Sequence, residues 1–158
     1  ISYQSKEILE NMGDIVWSMK NNSTSNTSLE VKIKNYAVGL LGDGNIHFTC
    51  NIIPNADDII TGITARKNIL LIAKEAMNNI AKYSKATSAS LTLQTNGKEL
   101  LLMIKDDGIG FNHGTVQDGN GLENMEQRTK ELKGFFKIQS AKGSGTTVTA
   151  NFPLIRVH

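Results

Sequence analysis

The sequence predicts an α+β fold, a two-layer α/β sandwich in which one mixed β-sheet is covered by helices on one face. Three observations carry that prediction. The elements run helix, strand, helix, then hairpin, helix, hairpin, an order that builds one sheet with helices packed on it. Asn96-Gly97 joins two strand-like runs, the strongest short hairpin signal a sequence offers. A Gly-Ser-Gly turn at 143–145 joins two more.

Each element has its own justification. Ile8, Met12, Ile15, Val16 and Met19 recur at roughly helical spacing within residues 3–19, with Trp17 near the end and Gly13 interrupting the pattern. Lys20 to Ser28 is rich in Asn, Ser and Thr and reads as a linker. Ser28 is a candidate N-cap for a helix striped by Leu29, Ile33, Ala37, Leu40 and Leu41. Gly42 to Asn45 is a turn, and Ile46, Phe48, Cys50 and Ile52 alternate as in a half-buried strand. Pro54 to Gly62 reads as loop, and Thr64 to about Tyr83 as the longest helix. Strands are expected at Ala89–Thr95 and Lys98–Lys105, a mobile loop at Phe111–Gly119, a helix at Gly121–Leu132, and strands at Phe135–Ser140 and Thr146–Phe152.

Composition bounds the function. A chain of 158 residues is one domain with a short appendage, large enough to bury a core. The formal net charge of +2 makes no electrostatic case for nucleic acid or an anionic membrane, so no nucleic-acid partner is expected. The lone Cys50 excludes an internal disulfide framework and fits a reducing compartment. There is no signal peptide and no apolar run that would span a bilayer. Ile1 already lies inside a helical pattern, so the chain reads as a fragment of something longer.

Three stretches carry chemistry. On the long helix, Glu75, Asn79 and Lys82 fall within about 60° of one another at the α-helical pitch, beside an apolar arc of Ile69, Ile72, Ala73, Ala76 and Ile80. A carboxylate orients or deprotonates a nucleophile, an amide oxygen suits Mg²⁺, and an ammonium pairs with phosphate. In the second stretch, the apolar run Leu100–Ile104 leads into Asp106 and Asp107, then Gly108-Ile109-Gly110. A carboxylate at a strand end holds the edge of a flat ligand, and neighbouring glycines let backbone approach it. The third is Gly119-Asn120-Gly121-Leu122, a glycine entry to a helix whose free amides favour an anion. Taken singly, each also reads as a solvated helix face, a tight turn or a flexible helix entry. Together and in this order, with the expected mobile loop between the last two, they are of the kinds that can make an adenine pocket, a metal site and a phosphate lid.

Residues from about 64 to 153 resemble the ATP-binding catalytic domain of sensor histidine kinases, part of the ATPase superfamily that includes gyrase, the Hsp90 chaperones and MutL. Glu75 to Lys82 resembles the N box, Asp106 to Gly110 the first glycine box, and Gly119 to Leu122 the second. The later run Gly-Leu-Glu-Asn-Met-Glu-Gln-Arg, with Gly-Ser-Gly-Thr-Thr-Val and a closing Phe-Pro, resembles the subfamily related to the nitrate sensors and DesK. The resemblance implies the histidine-kinase-like ATPase (Bergerat) fold, with residues 1–20 the end of a dimerisation helix, 21–28 a linker and 29–158 the catalytic domain. It implies Mg-ATP as phosphoryl donor, with Asn79 on Mg²⁺, Glu75 as base or polarising acid, Lys82 near the phosphates and Asp106 on the adenine amino group. Gly108 and Gly110 then allow close approach to nucleotide, Gly119, Gly121 and Leu122 form the hinge and phosphate end of the lid, and Thr146 supports the adenine site.

The implied acceptor histidine lies upstream of Ile1, because His47, His113 and His158 all stand in the wrong context. Tyr83 stands where the subfamily usually has His. The implied partners are the parent's own dimerisation and phosphoacceptor domain, in a homodimer, and a response regulator receiver domain. The implied location is cytoplasmic, in a parent anchored in the cell membrane. Two rivals remain at this level: an ATPase or serine kinase of the same superfamily, and a non-catalytic nucleotide-binding or docking module.

Overall fold

A computed structural model describes residues 2–19, 27–110 and 121–158. Their elements are α1 (Tyr3–Met19), α2 (Leu29–Leu41), β1 (His47–Ile52), α3 (Ala56–Ile59), α4 (Ile63–Asn79), a π-turn (Ile80–Ser84), β2 (Ser88–Thr95), β3 (Glu99–Asp106), α5 (Gly121–Glu131), β4 (Phe135–Ser140) and β5 (Thr146–Pro153). The five strands form one sheet in the order β1-β2-β3-β5-β4. The β1–β2 pair is parallel and the other three pairs are antiparallel. The mixed sheet follows from the connections. The short turns after β2 and β4 permit only antiparallel neighbours, whereas the crossover through α3 and α4 returns β2 parallel to β1.

Period-two patterning puts the apolar residues on one face. Leu91 lies opposite Ile104 and Leu93 opposite Leu102, while Leu102 and Ile104 face Ala150 and Val148 on the other side. All six are buried, together with Leu100 and Phe152. Ser90, Thr92, Lys105, Thr147 and Thr149 fall on the opposite face, which keeps contact with solvent. The helices cover the apolar face: α4 contributes Ile69, Leu70, Ile72, Ala73, Ala76 and Met77, and α2 contributes Leu29, Ile33, Ala37 and Leu41. Each Leu or Ile buried in this layer contributes roughly 1.5–3 kcal/mol. The start of α2 is fixed as its sequence implies, with the Val31 amide donating to Ser28 Oγ at 3.1 Å.

Four local expectations need correction. The Pro54–Gly62 stretch contains a short helix, α3, whose Asp57 accepts from the Leu29 amide and from Arg66. Gly13 does not interrupt α1, since nothing crowds that position and the helix runs through. The hairpin connection runs one residue past Asn96-Gly97, since β2 ends at Thr95 and β3 starts at Glu99, and Asn96 Oδ1 accepts from the amides of Lys98 and Glu99. The long helix changes pitch after Asn79. The loop expected at Phe111–Gly119 and most of the linker lie outside the described residues.

The polar side of α1 docks on the body. Asp14, only 1% exposed, accepts from Lys32 Nζ at 2.9 Å and from Lys74 Nζ at 2.6 Å, and Lys74 also reaches Glu10 at 3.1 Å. Trp17, 5% exposed, donates from its indole to the Thr27 carbonyl. Its ring stacks under the Arg66 guanidinium, 4.1 Å from the ring centroid. The other side of α1 presents Ile8, Leu9, Met12, Ile15, Val16 and Met19, all 45% exposed or more. We expect Asp14→Ala to lower the unfolding free energy by about 2–3 kcal/mol in urea melts, because it leaves a buried ammonium short of its main partner. A change within about 0.5 kcal/mol contradicts that account.

Candidate functional site

The last two turns of α4 form one wall of the site. Glu75 and Asn79 stand one turn apart on one face, both partly buried. The neighbouring Asn78 is committed to packing, since its Oδ1 accepts from Tyr36 Oη at 3.0 Å. Asn79 has no side-chain hydrogen bond to any described residue. Past Asn79 the backbone widens into the π-turn, where Ser84 Oγ donates to the Ile80 carbonyl and accepts from the Ala86 amide. The phase calculated for Lys82 assumed regular α-helix. The wider turn shifts it, and Lys82 and Tyr83 both stand exposed. Single π-turns of this kind occur often at functional sites.

The second wall is the end of β3. Asp106 is buried at 5% exposure, and its carboxylate accepts from the Gly108 amide at 2.8 Å. Burial pushes its pKa above the usual 3.8, while the amides of Gly108 and Thr146 pull the other way and the adjacent Asp107 pushes it up further. A carboxylate accepts about four hydrogen bonds, so Asp106 retains capacity for a ligand N–H. Asp107 is fully engaged elsewhere. Its Oδ1 accepts from the amides of Thr87 and Ser88 at 2.9 and 3.0 Å, and its Oδ2 accepts from their hydroxyls at 2.7 and 3.0 Å. Those bonds, the Ser88 amide foremost, hold its carboxyl far below the ordinary range.

The two walls meet through backbone. The Ile109 amide donates to the Ser84 carbonyl at 2.7 Å, and a Cβ on Gly108 would collide with that carbonyl. Gly110 takes a left-handed φ of 66° against the Ala141 carbonyl. Thr146 lies opposite Asp106 in the ladder, and its hydroxyl pairs with Ser140 Oγ at 2.7 Å. The start of α5 closes the arrangement, with Gly121 against the Glu75 carboxylate, so negative charge sits where the helix dipole favours it. Leu122 packs against the core, and Asn68 Nδ2 donates to the Arg128 carbonyl at 2.9 Å, tying α5 to α4. These contacts join Asp106, Gly108, Gly110 and Thr146 to one another and Gly121 to Glu75, with Asn79 one turn along α4 from Glu75 and Leu122 next to Gly121; Lys82 is exposed, and Gly119 lies outside the described residues.

Among the described residues no group of three His, Cys, Asp or Glu could hold a metal on its own. A site offering one amide oxygen, with a carboxylate a turn away, suits Mg²⁺, which keeps waters and takes most other ligands from a phosphate chain. Sequence reasoning missed the Asp107 clamp and the Asp14–Lys74 pair. The Thr87-Ser88 pair at a strand start was the available signal for the first; the second left none.

The family described as histidine kinase-, DNA gyrase B-, and HSP90-like ATPase matches residues 64–156. The sensor protein VraS of Staphylococcus saprophyticus is 35% identical over 88 residues, which cover 55% of this chain and 25% of that protein. The sensor histidine kinase YvfT of Bacillus subtilis is 33% identical over 118 residues, covering 74% of this chain and 30% of that protein. The chain thus spans about a quarter of the length of the curated relatives it matches. Among solved structures, the histidine kinase domain of a blue-light activated histidine kinase from Erythrobacter litoralis shares the fold. Its TM-score is 0.70, over 94% of this chain and 74% of that one, at 17% identity.

Three outcomes are expected from the geometry and electrostatics of the site. Gly121→Ala displaces only the flexible end of Glu75, so stability in urea melts should stay within about 1 kcal/mol of wild type. Gly108→Ala instead drives into the Ser84 backbone and should cost about 2 kcal/mol or more. Asp106→Asn removes a carboxylate whose folded pKa is raised. Ionising such a group lowers stability as pH rises from 3.8 through the raised folded pKa, so the variant should have the higher urea midpoint at pH 7, with the gain shrinking as pH falls through that raised pKa and gone below 3.8. A lower midpoint at pH 7 refutes that assignment of Asp106.

Proposed function

We propose, because this chain belongs to the histidine kinase-, DNA gyrase B-, and HSP90-like ATPase family, that it is the ATP-binding catalytic part of a protein-histidine kinase. The fold of that family is an ATP-binding one. The observation that carries the reading is the contact between three stretches distant in sequence: the end of α4 with Glu75 and Asn79, Asp106 to Gly110 after β3, and Gly121 at the start of α5.

Asp106 accepts the adenine amino proton. Guanine, with a carbonyl at that position, would set oxygen against carboxylate, which favours adenine. Gly108 and Gly110 leave room for the base beside backbone. Asn79 would hold Mg²⁺, which when bound neutralises charge on the phosphate chain. Lys82, exposed at the margin, adds positive charge for the phosphates to meet. Gly119, Gly121 and Leu122 form the hinge and phosphate end of a lid. Thr146, hydrogen-bonded to Ser140, firms the floor beneath the base. Glu75 takes the proton, or orients the imidazole, as the γ-phosphoryl passes to a histidine supplied by another part of the parent protein. Catalysis in such a transfer comes from alignment and charge neutralisation more than from covalent chemistry by the protein.

The outer stripe of α1 supports the remaining assignments. Six exposed apolar side chains on one helix face fit a helix–helix interface, so we assign residues 1–20 to the end of a dimerisation helix in a homodimeric parent, 21–28 to a linker and 29–158 to the catalytic domain. The parent passes its phosphoryl group to a receiver domain of a response regulator and is anchored in the cell membrane with this part in the cytoplasm. Among the described residues, no helix is long and apolar enough to cross a membrane.

Calorimetry with and without magnesium tests the reading. The chain should bind ATP more tightly with Mg²⁺, and Asn79→Ala should remove most of that increment, a loss of about tenfold or more. Incubated alone with labelled ATP, the chain should take up no phosphate. Absence of any adenine-nucleotide binding would sink the proposal, and steady hydrolysis without a histidine acceptor would move the chain among the ATPases.

A further inference from the structure

The sequence pairs two carboxylates at the end of β3, and the reading above employs only Asp106. Asp107 makes four hydrogen bonds, all to Thr87 and Ser88, and its own amide donates to the Ser88 carbonyl at 3.2 Å. Thr87 and Ser88 are where the chain, leaving the π-turn through left-handed Lys85, enters β2. One residue before Asp107 is Asp106, and one residue after it Gly108 abuts Ser84. Asp107 thus fastens the end of β3 to the segment that continues the Asn79 helix.

We propose that Asp107 is a positioning residue, which holds the Asp106 carboxylate at a set distance and angle from Asn79 and thereby sets the affinity for the adenine ring. The inference rests on the nucleotide-binding reading above. The clamp lies at the surface, where Asp107 and Thr87 are exposed. Water can satisfy the donors that its loss releases, so the fold survives. Water cannot reproduce a bidentate carboxylate that fixes two backbone amides and two hydroxyls at once. The effect of removing Asp107 therefore falls on the aim of Asp106 rather than on folding. An asparagine retains one oxygen for the two amides, and the two hydroxyls can rotate to accept from its nitrogen.

The test is Mg-ATP calorimetry on wild type, Asp107→Ala, Asp107→Asn, Asp106→Asn and the Asp106→Asn, Asp107→Ala double variant, each first checked for a cooperative melt. Asp107→Ala should weaken binding about tenfold, and Asp107→Asn should return it to within about threefold of wild type. In the Asp106→Asn background, Asp107→Ala should add less than about threefold, because a residue that acts through Asp106 has little left to act on. The inference is overturned if Asp107→Ala binds like wild type, if asparagine fails to rescue, or if the full loss persists without the Asp106 carboxylate. If wild type itself binds no Mg-ATP, the nucleotide reading falls and this inference falls with it; if wild type binds and only the variant pattern fails, the inference alone is lost.

Discussion

The arrangement depends on one backbone contact, the hydrogen bond from the Ile109 amide to the Ser84 carbonyl. It joins the end of the central strand to the end of the central helix, and it forms only because the intervening residue is glycine. A Cβ at position 108 would occupy the place of the Ser84 carbonyl. The π-turn is the other half of the constraint. Ser84 is the last residue of that turn, so its carbonyl has no partner within the helix and is left to accept from the Ile109 amide. One glycine and one irregular turn thus set the separation of the two walls.

The two neighbouring aspartates divide the work by environment. Asp107 sits at the surface amid four donors and stays ionised far below the usual range. Asp106 is buried one residue away, and burial makes its charge costly. A buried carboxylate with unfilled acceptor capacity reduces the stability of the free protein, and a ligand N–H can recover what burial costs. This is the ordinary relation between a binding site and the fold that supports it.

A second network reaches the site from the opposite side. Asp57, Arg66, Trp17, Lys32, Asp14 and Lys74 form a chain of ion pairs and ring contacts from α3 to α4, passing through α1. It ends at Lys74, the residue before Glu75. The apolar stripe of α1, which periodicity alone would turn toward the body, faces outward because the docked side is held by buried charge and one tryptophan. Helical periodicity locates an apolar face, but it does not say what covers it. Here the acidic and aromatic residues between the apolar ones decide the orientation.

Much of the fold was legible in the chain. Alternation identified the strands, capping and stripes identified α2 and α4, and Asn-Gly and Gly-Ser-Gly identified the hairpins, since these signals act over a few residues. The candidate site's motifs could be picked out for the same reason: each is a short run whose residue types suggest a chemistry. What the chain left open was every pairing made over distance. Asp107 meets Thr87 from 20 positions away and Asp14 meets Lys74 from 60. Which aspartate stays buried, where Lys82 points after the π-turn, and which face of α1 docks were all decided by packing. Local sequence selects the type of an element from propensity and period, while the partners of a polar side chain depend on which distant groups the whole chain brings within about 3 Å.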